Sequence, residues 1–572
     1  MTGRVVRVLP DLPALERTFD YAVPDGWDDD VRVGTLVRIS LHGRRVGGWV
    51  VADHVTSPPA VRLRPLAKVT GWGPPEAVVD LARWAAWRWA GPLRPVLRAA
   101  SPPGAVRGLP AAPAARPPAF APGDDDPLVR EALSRARSVV RLPPAADPYP
   151  FVAAAARAGD ALVLAPSVAA AALVAARLRR SGAPVALAPR DWARAAAGGS
   201  VVVGARAAAW SPVPDLAAVV VLDAHDEALQ EERAPTWSAW EVAAERAERA
   251  GVPCVLVSPC PTLEHLAWGE VSVPSRAVER SGWPVVEVVD RRDDDPRSGL
   301  YSQRLVRVLR GAGRVACVLN RRGRARLLAC GACGELVRCE SCAGALEQDA
   351  GTGLRCRRCG AGRAAVCQAC GAARLRSLRV GVTRAREELE ALAGRPVAEV
   401  TGESGELPDS PVLVGTEALL HRLRAADAVV FVDFDQELLA PRFRAAEQAM
   451  ALLARAARLV GGREGGGRVV VQTRSPGSEV LRAAVHADPG RLAVVERERR
   501  AALRLPPATA LAVVSGDAAA FVAALPGGVE VLGPADGRWL VRAGDHRTLC
   551  DALAAVPRAG ARLRVEVDPA RA

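Results

Sequence analysis

Short apolar runs broken by turn residues fill the first seventy positions. Val5-Val6-Arg7-Val8-Leu9 is followed by runs at 18–23, 35–41 and 46–51, with a Pro24-Asp25-Gly26 turn after the second and His42-Gly43 between the last two. Strands of this length at this spacing predict a small β-barrel. Positions 76–100 carry helical periodicity, interrupted near Gly91-Pro92 and then resumed, with Trp84, Trp87 and Trp89 as packing residues. Residues 101–127 are rich in Pro, Ala and Gly, cannot bury a core, and read as an extended or disordered linker. From 128 the rhythm changes. Apolar strands are predicted at 161–165, 200–204, 217–223 and 254–258, with helices at 168–181 and 240–250. This βαβ alternation calls for a parallel sheet covered by helices on both faces. After 301–310, a strand at 315–319 opens a second such lobe, which resumes at Val380, 397–401, 412–415, 428–433 and 469–473 beyond a cysteine-rich insertion. Strands at 510–514, 529–532, 539–542 and 562–567 close the chain as a small α/β domain.

The predicted fold is therefore α/β and multidomain. It comprises a barrel plus helix over 1–100, a linker over 101–127, a first lobe over 128–290, a second lobe over 291–329 and 371–502, an inserted module over 330–370, and a final domain over 503–572. A chain of 572 residues has room for three or four cores. Half of its residues are hydrophobic but only 4% are aromatic, so alanine, valine and leucine must carry the burial. The net charge of +13 favours a polyanionic partner such as nucleic acid. Lys68 is the only lysine, and every other fixed positive side chain is arginine. The first residues lack an apolar leader core and no apolar run reaches about 18 residues, so the expectation is a cytoplasmic protein without a membrane span.

The chemistry concentrates between 330 and 370. Eight cysteines stand there as four C-x-x-C pairs: Cys330/Cys333, Cys339/Cys342, Cys356/Cys359 and Cys367/Cys370. Each pair can present two thiolates to one metal, and two pairs complete a closed tetrahedral zinc site with no position left for water. Two structural Zn2+ per chain are predicted; spacing alone leaves sequential and nested pairing both open. Arg338, Arg355, Arg357, Arg358 and Arg363 flank the cysteines and suit a phosphate backbone or an acidic partner. The isolated Cys254, Cys260, Cys317 and Cys550 read as small buried apolar residues.

Two α/β lobes with paired strand-end motifs look like a superfamily 2 helicase motor. More closely, the chain resembles the primosomal replication-restart (PriA) family. The resemblance rests on LPDLPALERTFDYAVPDG near the start, VVLDAHD, SPCPTLE, VLNRRG at 318–323 and the four cysteine pairs. VLVGTEALL at 412–420, FRAAEQ at 443–448, LRLPP at 503–507 and VEVDP at 565–569 extend it. It implies helicase-like lobes and nested zinc pairing. Cys330, Cys333, Cys367 and Cys370 would share one ion, and Cys339, Cys342, Cys356 and Cys359 the other. It implies a barrel pocket for a DNA 3′ end, with Phe19, Asp20, Gly43 and Arg64 on the pocket positions. There Asp20 would accept a hydrogen bond from the terminal 3′-hydroxyl, Phe19 would stack on a base and Gly43 would let the backbone approach. It also implies forked and single-stranded DNA, single-stranded-DNA-binding protein and other primosome members as partners of a monomer near the nucleoid.

The family's motor motifs depart from pattern in this chain. Where a G-x-x-x-x-G-K-[ST] phosphate loop belongs, residues 141–150 read RLPPAADPYP, with prolines that lack N–H donors and an aspartate that repels phosphate. The D-E-x-H position holds Asp223-Ala224-His225-Asp226, and the S-A-T position Ser258-Pro259-Cys260. The arginine-finger motif falls on Arg455, Arg458, Leu459, Gly461 and Gly462, with Leu459 where the finger belongs. The family's winged-helix domain has only the 101–127 linker in its place. The expectation is a restart factor that reads forks and recruits primosome partners without catalytic residues or helicase activity. The alternatives are an ATP-driven 3′-to-5′ helicase with an unorthodox nucleotide site, or a zinc scaffold that binds protein alone.

Overall fold

The computed structural model describes residues 4–13, 15–56, 63–113, 126–292, 294, 300–311, 313–320, 328–348, 353–356, 359–377, 382–401, 404–558 and 562–570. Arg321 to Gly323 of VLNRRG, Arg357, Arg358, the strand expected at Val380 and residues 114–125 of the linker lie outside them. The chain divides into two compact units. One holds Met1–Val140, Pro148–Ser272 and Leu503–Ala570; the other holds Arg141–Asp147 and Val273–Ala502.

The first unit opens with β1 (Val5–Pro10), β2 (Phe19–Ala22), β3 (Leu36–Leu41), β4 (Arg44–Ala52) and β5 (Lys68–Gly71), antiparallel in the order β2-β1-β4-β3-β5. The segment before β5 closes the sheet. Ala22 N–H donates to the Arg64 carbonyl and Leu66 N–H to the Ala22 carbonyl, each at 3.0 Å. Val6, Val8, Tyr21, Val37, Ile39 and Val50 fill the interior. His42 and Gly43, both at positive φ, make the two-residue turn that a twisted β3–β4 hairpin favours. β5 is not anticipated by the sequence pattern, because KVTG offers one apolar residue and no alternation.

α1 (Glu76–Arg88) and α2 (Leu93–Ala100) cover one end of the barrel's outer face, packing with Leu9, Trp49 and Val51. Trp89 is fully buried and meets Trp84 edge-on at 5.4 Å. The linker residues 101–113 are extended but held: Ser101 accepts from Trp49 Nε1 at 2.8 Å, and the Val106 carbonyl from Trp72 N–H at 2.7 Å.

The first parallel sheet is built from β6 (Arg137–Arg141), β7 (Asp160–Leu164), β8 (Val185–Leu187), β9 (Val201–Gly204), β10 (Leu216–Leu222), β11 (Cys254–Ser258) and β12 (Glu270–Ser272), ordered β12-β6-β11-β10-β7-β9-β8. Its strands are nearly all apolar because helices bury both faces. In the second unit, β13 (Val285–Asp290) and β14 (Val315–Val318) precede the cysteine module. That module carries β15 (Leu328–Cys330), β16 (Leu346–Gln348), β17 (Gly353–Cys356), β18 (Gly362–Ala364) and β19 (Leu375–Ser377). β20 (Val397–Val400), β21 (Val412–Gly415), β22 (Ala428–Phe431) and β23 (Arg468–Thr473) complete the second parallel sheet, ordered β13-β23-β22-β14-β21-β20. β13, which falls inside the 128–290 span expected for the first lobe, pairs with β23 in this second sheet, because its partner is supplied nearly two hundred residues later.

β24 (Ala510–Ser515), β25 (Glu530–Ala535), β26 (Arg538–Ala543) and β27 (Arg564–Val567) form an antiparallel sheet in the first unit, ordered β25-β26-β24-β27. Asp568, just past β27, is buried between His546 Nε2 at 2.8 Å and Arg88 at 2.7 Å, and Arg88 also pairs with Glu241 at 2.7 Å. One carboxylate thus ties α1 and the first lobe to the end of the chain. Among the described residues, no helix is long and apolar enough to cross a membrane.

Candidate functional site

The cysteine pairs share one local design. In each, the residue after the second cysteine adopts positive φ: Gly334 at 74°, Ala343 at 55°, Gly360 at 77° and Gly371 at 73°. Its N–H returns to the carbonyl of the first cysteine at 2.9–3.0 Å. The turn leaves both sulfurs on one side. Glycine at three of the four positions is the sequence signature of that conformation.

The folded module sorts the eight sulfurs into two groups: Cys330, Cys333, Cys367 and Cys370, and Cys339, Cys342, Cys356 and Cys359. The β15–β19 ladder, with Cys330 opposite Leu375, brings the outer pairs together; the three strands β16, β17 and β18 bring the inner pairs together. Sulfur separations are 3.5 Å for Cys330–Cys370, 3.6 Å for Cys333–Cys367, 3.4 Å for Cys339–Cys359 and 3.5 Å for Cys342–Cys356. A disulfide needs about 2.05 Å. Four sulfurs each about 2.3 Å from a tetrahedral Zn2+ stand about 3.8 Å apart. The residues fit two Zn2+, each in a closed four-sulfur site.

The module is seated on the second lobe. Arg338 donates to Ser475 Oγ at 2.5 Å, and Arg474 to the Gly334 carbonyl at 3.1 Å. Beneath them Asp435 accepts from Thr473 Oγ1 at 2.7 Å, Ser475 Oγ at 2.6 Å and the Arg474 N–H at 2.6 Å. Arg338 is thus spent on docking and is not a free phosphate contact, a correction to the sequence reading of the module's basic flank. Burial and the neighbouring Asp435 carboxylate push Asp433 up to about 7.

In the stretch Arg141–Asp147, two N–H groups, two carbonyls and the arginine side chain have partners within the same unit. Ala145 N–H donates to the Gly282 carbonyl at 3.1 Å and Ala146 N–H to the Pro143 carbonyl at 3.0 Å. Arg141 grips the buried Glu279 with two nitrogens, at 2.7 and 3.0 Å, and Arg276 reaches the same carboxylate at 3.0 Å. Arg458 Nε donates to the Pro144 carbonyl at 3.1 Å. A Cβ on Gly282 would stand 2.6 Å from that of Pro143, and one on Gly462 2.5 Å from the Ser281 carbonyl oxygen. At the strand ends of the first sheet, Asp223 sits at φ 49°, Ala224 is buried, and His225 Nδ1 lies 2.9 Å from Ser258 Oγ.

On the barrel, Phe19 and Asp20 are neighbours in β2, so their side chains leave opposite faces. Phe19 is partly buried against the interior beside Val8, its register partner. Asp20 faces outward, where Arg7 binds it through two nitrogens at 2.8 and 3.2 Å. Arg64 is exposed and adjoins β2 through its carbonyl. Gly43 lies beyond Ser40, whose carbonyl accepts from the Tyr21 hydroxyl at 3.1 Å. Nothing lies within 4 Å of a Cβ built on Gly43, so the turn's positive φ is what requires glycine there. Arg7, which orients Asp20, was missed at the sequence level; its signal is the cross-strand position opposite Asp20.

A closed antiparallel sheet, two successive parallel sheets and two four-cysteine clusters together define a multidomain α/β protein built to hold two Zn2+. Residues 7–102 match the family model of the PriA 3′DNA-binding domain (3′BD). The probable replication restart protein PriA of Mycobacterium leprae is 31% identical over 92% of this chain and 90% of its own length. That of Mycobacterium tuberculosis (strain ATCC 25618 / H37Rv) is also 31% identical, with the same coverage. A solved DEAD box protein from Methanococcus jannaschii aligns with 65% of this chain and 87% of its own at 11% identity and a TM-score of 0.31. The chain belongs to the PriA replication restart family.

Proposed function

We propose that this protein is a fork-reading replication-restart factor that binds a DNA 3′ end with its barrel and works without ATP-driven unwinding. The observation that carries the second half is the Arg141–Asp147 stretch. The N–H groups of Ala145 and Ala146 point at protein carbonyls, its two prolines have none, and its arginine is held by a buried glutamate. A phosphate cradle needs several free N–H groups and a lysine. Loss of an arginine finger alone lowers turnover by roughly 10³–10⁵, and Leu459 stands in that place.

For the first half, the support is the barrel's match to the 3′DNA-binding model and the partly exposed Asp20 carboxylate. Arg7 neutralises Asp20 without using all of its lone pairs, so it can accept a terminal 3′-hydroxyl while tolerating nearby phosphates. In this reading residues 1–100 read the DNA end and 128–290, 291–329 and 371–502 are the retained motor frame. The 330–370 module docks single-stranded-DNA-binding protein and other primosome members, and 503–572 braces the frame. The linker at 101–127 replaces the winged helix, and the protein acts as a cytoplasmic monomer at the nucleoid.

ATP hydrolysis by zinc-loaded protein, with and without forked DNA, tests the proposal. The expected outcome is no DNA-stimulated turnover. A rate above about 0.1 s⁻¹, still low on the usual enzyme scale, would replace it with the unorthodox-helicase reading.

A further inference from the structure

The outer face of β3, β4 and β5 is divided. At one end Leu36 and Trp49, a register pair, pack under the helices α1 and α2. At the other end the same face carries Arg38, Ser40, Arg45, Gly47 and Lys68. The pairs Arg38↔Gly47, Ser40↔Arg45 and Arg38↔Lys68 put them side by side. Arg38, Arg45 and Lys68 are exposed, and among the described residues none of the three meets a carboxylate. Many other arginines of the chain are ion-paired, Arg4, Arg7, Arg83 and Arg94 of the same region among them.

Arg38 and Lys68 are directly opposite each other across two strands, an arrangement of like charges that destabilises a sheet. Arg38 and Arg45 are diagonal neighbours, about 7–8 Å apart by strand geometry. Between them Ser40 and Gly47 form a low floor, and nothing lies within 4 Å of a Cβ built on Gly47. Three unneutralised cations at intervals of about 5–8 Å on a flat, polar floor match the repeating charge of an extended phosphodiester chain.

We infer that this face is a track for the sugar-phosphate backbone of the DNA strand whose 3′ end the barrel holds, with Arg38, Arg45 and Lys68 each neutralising a phosphate. The inference rests on the 3′-end reading above. The phosphates relieve the Arg38–Lys68 repulsion, so binding recovers a cost built into the free sheet. The track carries no base contacts and is sequence-independent.

The test is the affinity of full-length, zinc-loaded protein for a single-stranded oligonucleotide ending in a 3′-hydroxyl or a 3′-phosphate, followed by fluorescence anisotropy over a salt series. Wild type is compared with the triple variant R38S/R45S/K68S and with D20N. All four positions lie on the surface, and zinc content together with circular dichroism checks folding. Each single-strand phosphate contact contributes about 0.7 to the salt slope, so the triple variant is expected to lose about 2 from the slope and about 100-fold in affinity at 0.1 M salt. Its preference for the hydroxyl end remains. D20N is expected to lose the end preference and keep the slope. Wild-type affinity and slope in the triple variant, with D20N behaving as expected, overturns the track but not the end reading. Indifference of the wild type to both the end group and DNA itself removes both. Binding of polyglutamate as tight as that of the oligonucleotide, abolished in the triple variant, assigns the face to an acidic protein and overturns the DNA track.

Discussion

The cysteine module and the Arg141–Asp147 stretch, which the resemblance sets where a phosphate loop belongs, are built in opposite ways. In the module, the sulfurs of each cluster stand in pairs 3.4–3.6 Å apart, and backbone N–H groups such as that of Ala332, 3.4 Å from Cys330 Sγ, point at them. Thiolates that close repel one another, so the geometry is stable only around a cation. In the stretch after β6, donors and acceptors are answered by protein: Gly282 and Pro143 carbonyls, Glu279, and Arg458 on the Pro144 carbonyl. One region gathers like groups that call for a cation; in the other, the groups named are already answered by protein.

The largest expected effect comes from removing the metal. Structural zinc supplies about 10–16 kcal/mol to small zinc domains. Cys342→Ser should lower zinc from two ions per chain to one, read by elemental analysis. It should also make the module sensitive to proteolysis while the parallel sheets remain folded. Two ions retained in that variant would mean that the clusters are not the closed sites the sulfur distances indicate.

Next is the spent region. Glu279→Gln leaves Arg141 and Arg276 sharing a neutral partner, and breaking a buried pair in this way costs about 3 kcal/mol. A falling midpoint in denaturant with no gain in ATP affinity is the expected result. Tight ATP binding in the variant would show that the two arginines are a phosphate grip masked by a carboxylate.

The smallest effect concerns pH at the floor of the module. Asp433 is raised from 3.8 to about 7 by burial and then by Asp435. The folded state therefore holds the proton more tightly than the unfolded chain, and stability falls as pH rises from about 4 to 7. Asp433→Asn should flatten that fall, measured by denaturation at pH 5 and pH 7.5. An unchanged slope would place the titration elsewhere.

The elements themselves were largely legible. The run at 412–415 became β21 because a fully buried parallel strand is written as unbroken valine and leucine, while 397–401 became the half-buried edge strand β20 within a residue. The Gly91-Pro92 break between α1 and α2 was visible for an equally local reason. Other features were not. β5 carries no pattern, and β13 looks like the end of one lobe although it is an edge of the other. Arg338 reads as surface charge until the lobe beneath it is in place.

By itself the sequence determined what is encoded within a turn or two: strand and helix character, and the four C-x-x-C turns with their following small residue. Only the tertiary structure decided which sulfurs meet, that Asp20 faces Arg7 while Phe19 turns inward, and that Arg38, Arg45 and Lys68 are left unneutralised side by side. The reason is physical. Backbone preference and hydrophobic period act over a few residues, whereas charge neutralisation and metal geometry are set by neighbours that the chain brings together from tens or hundreds of positions away.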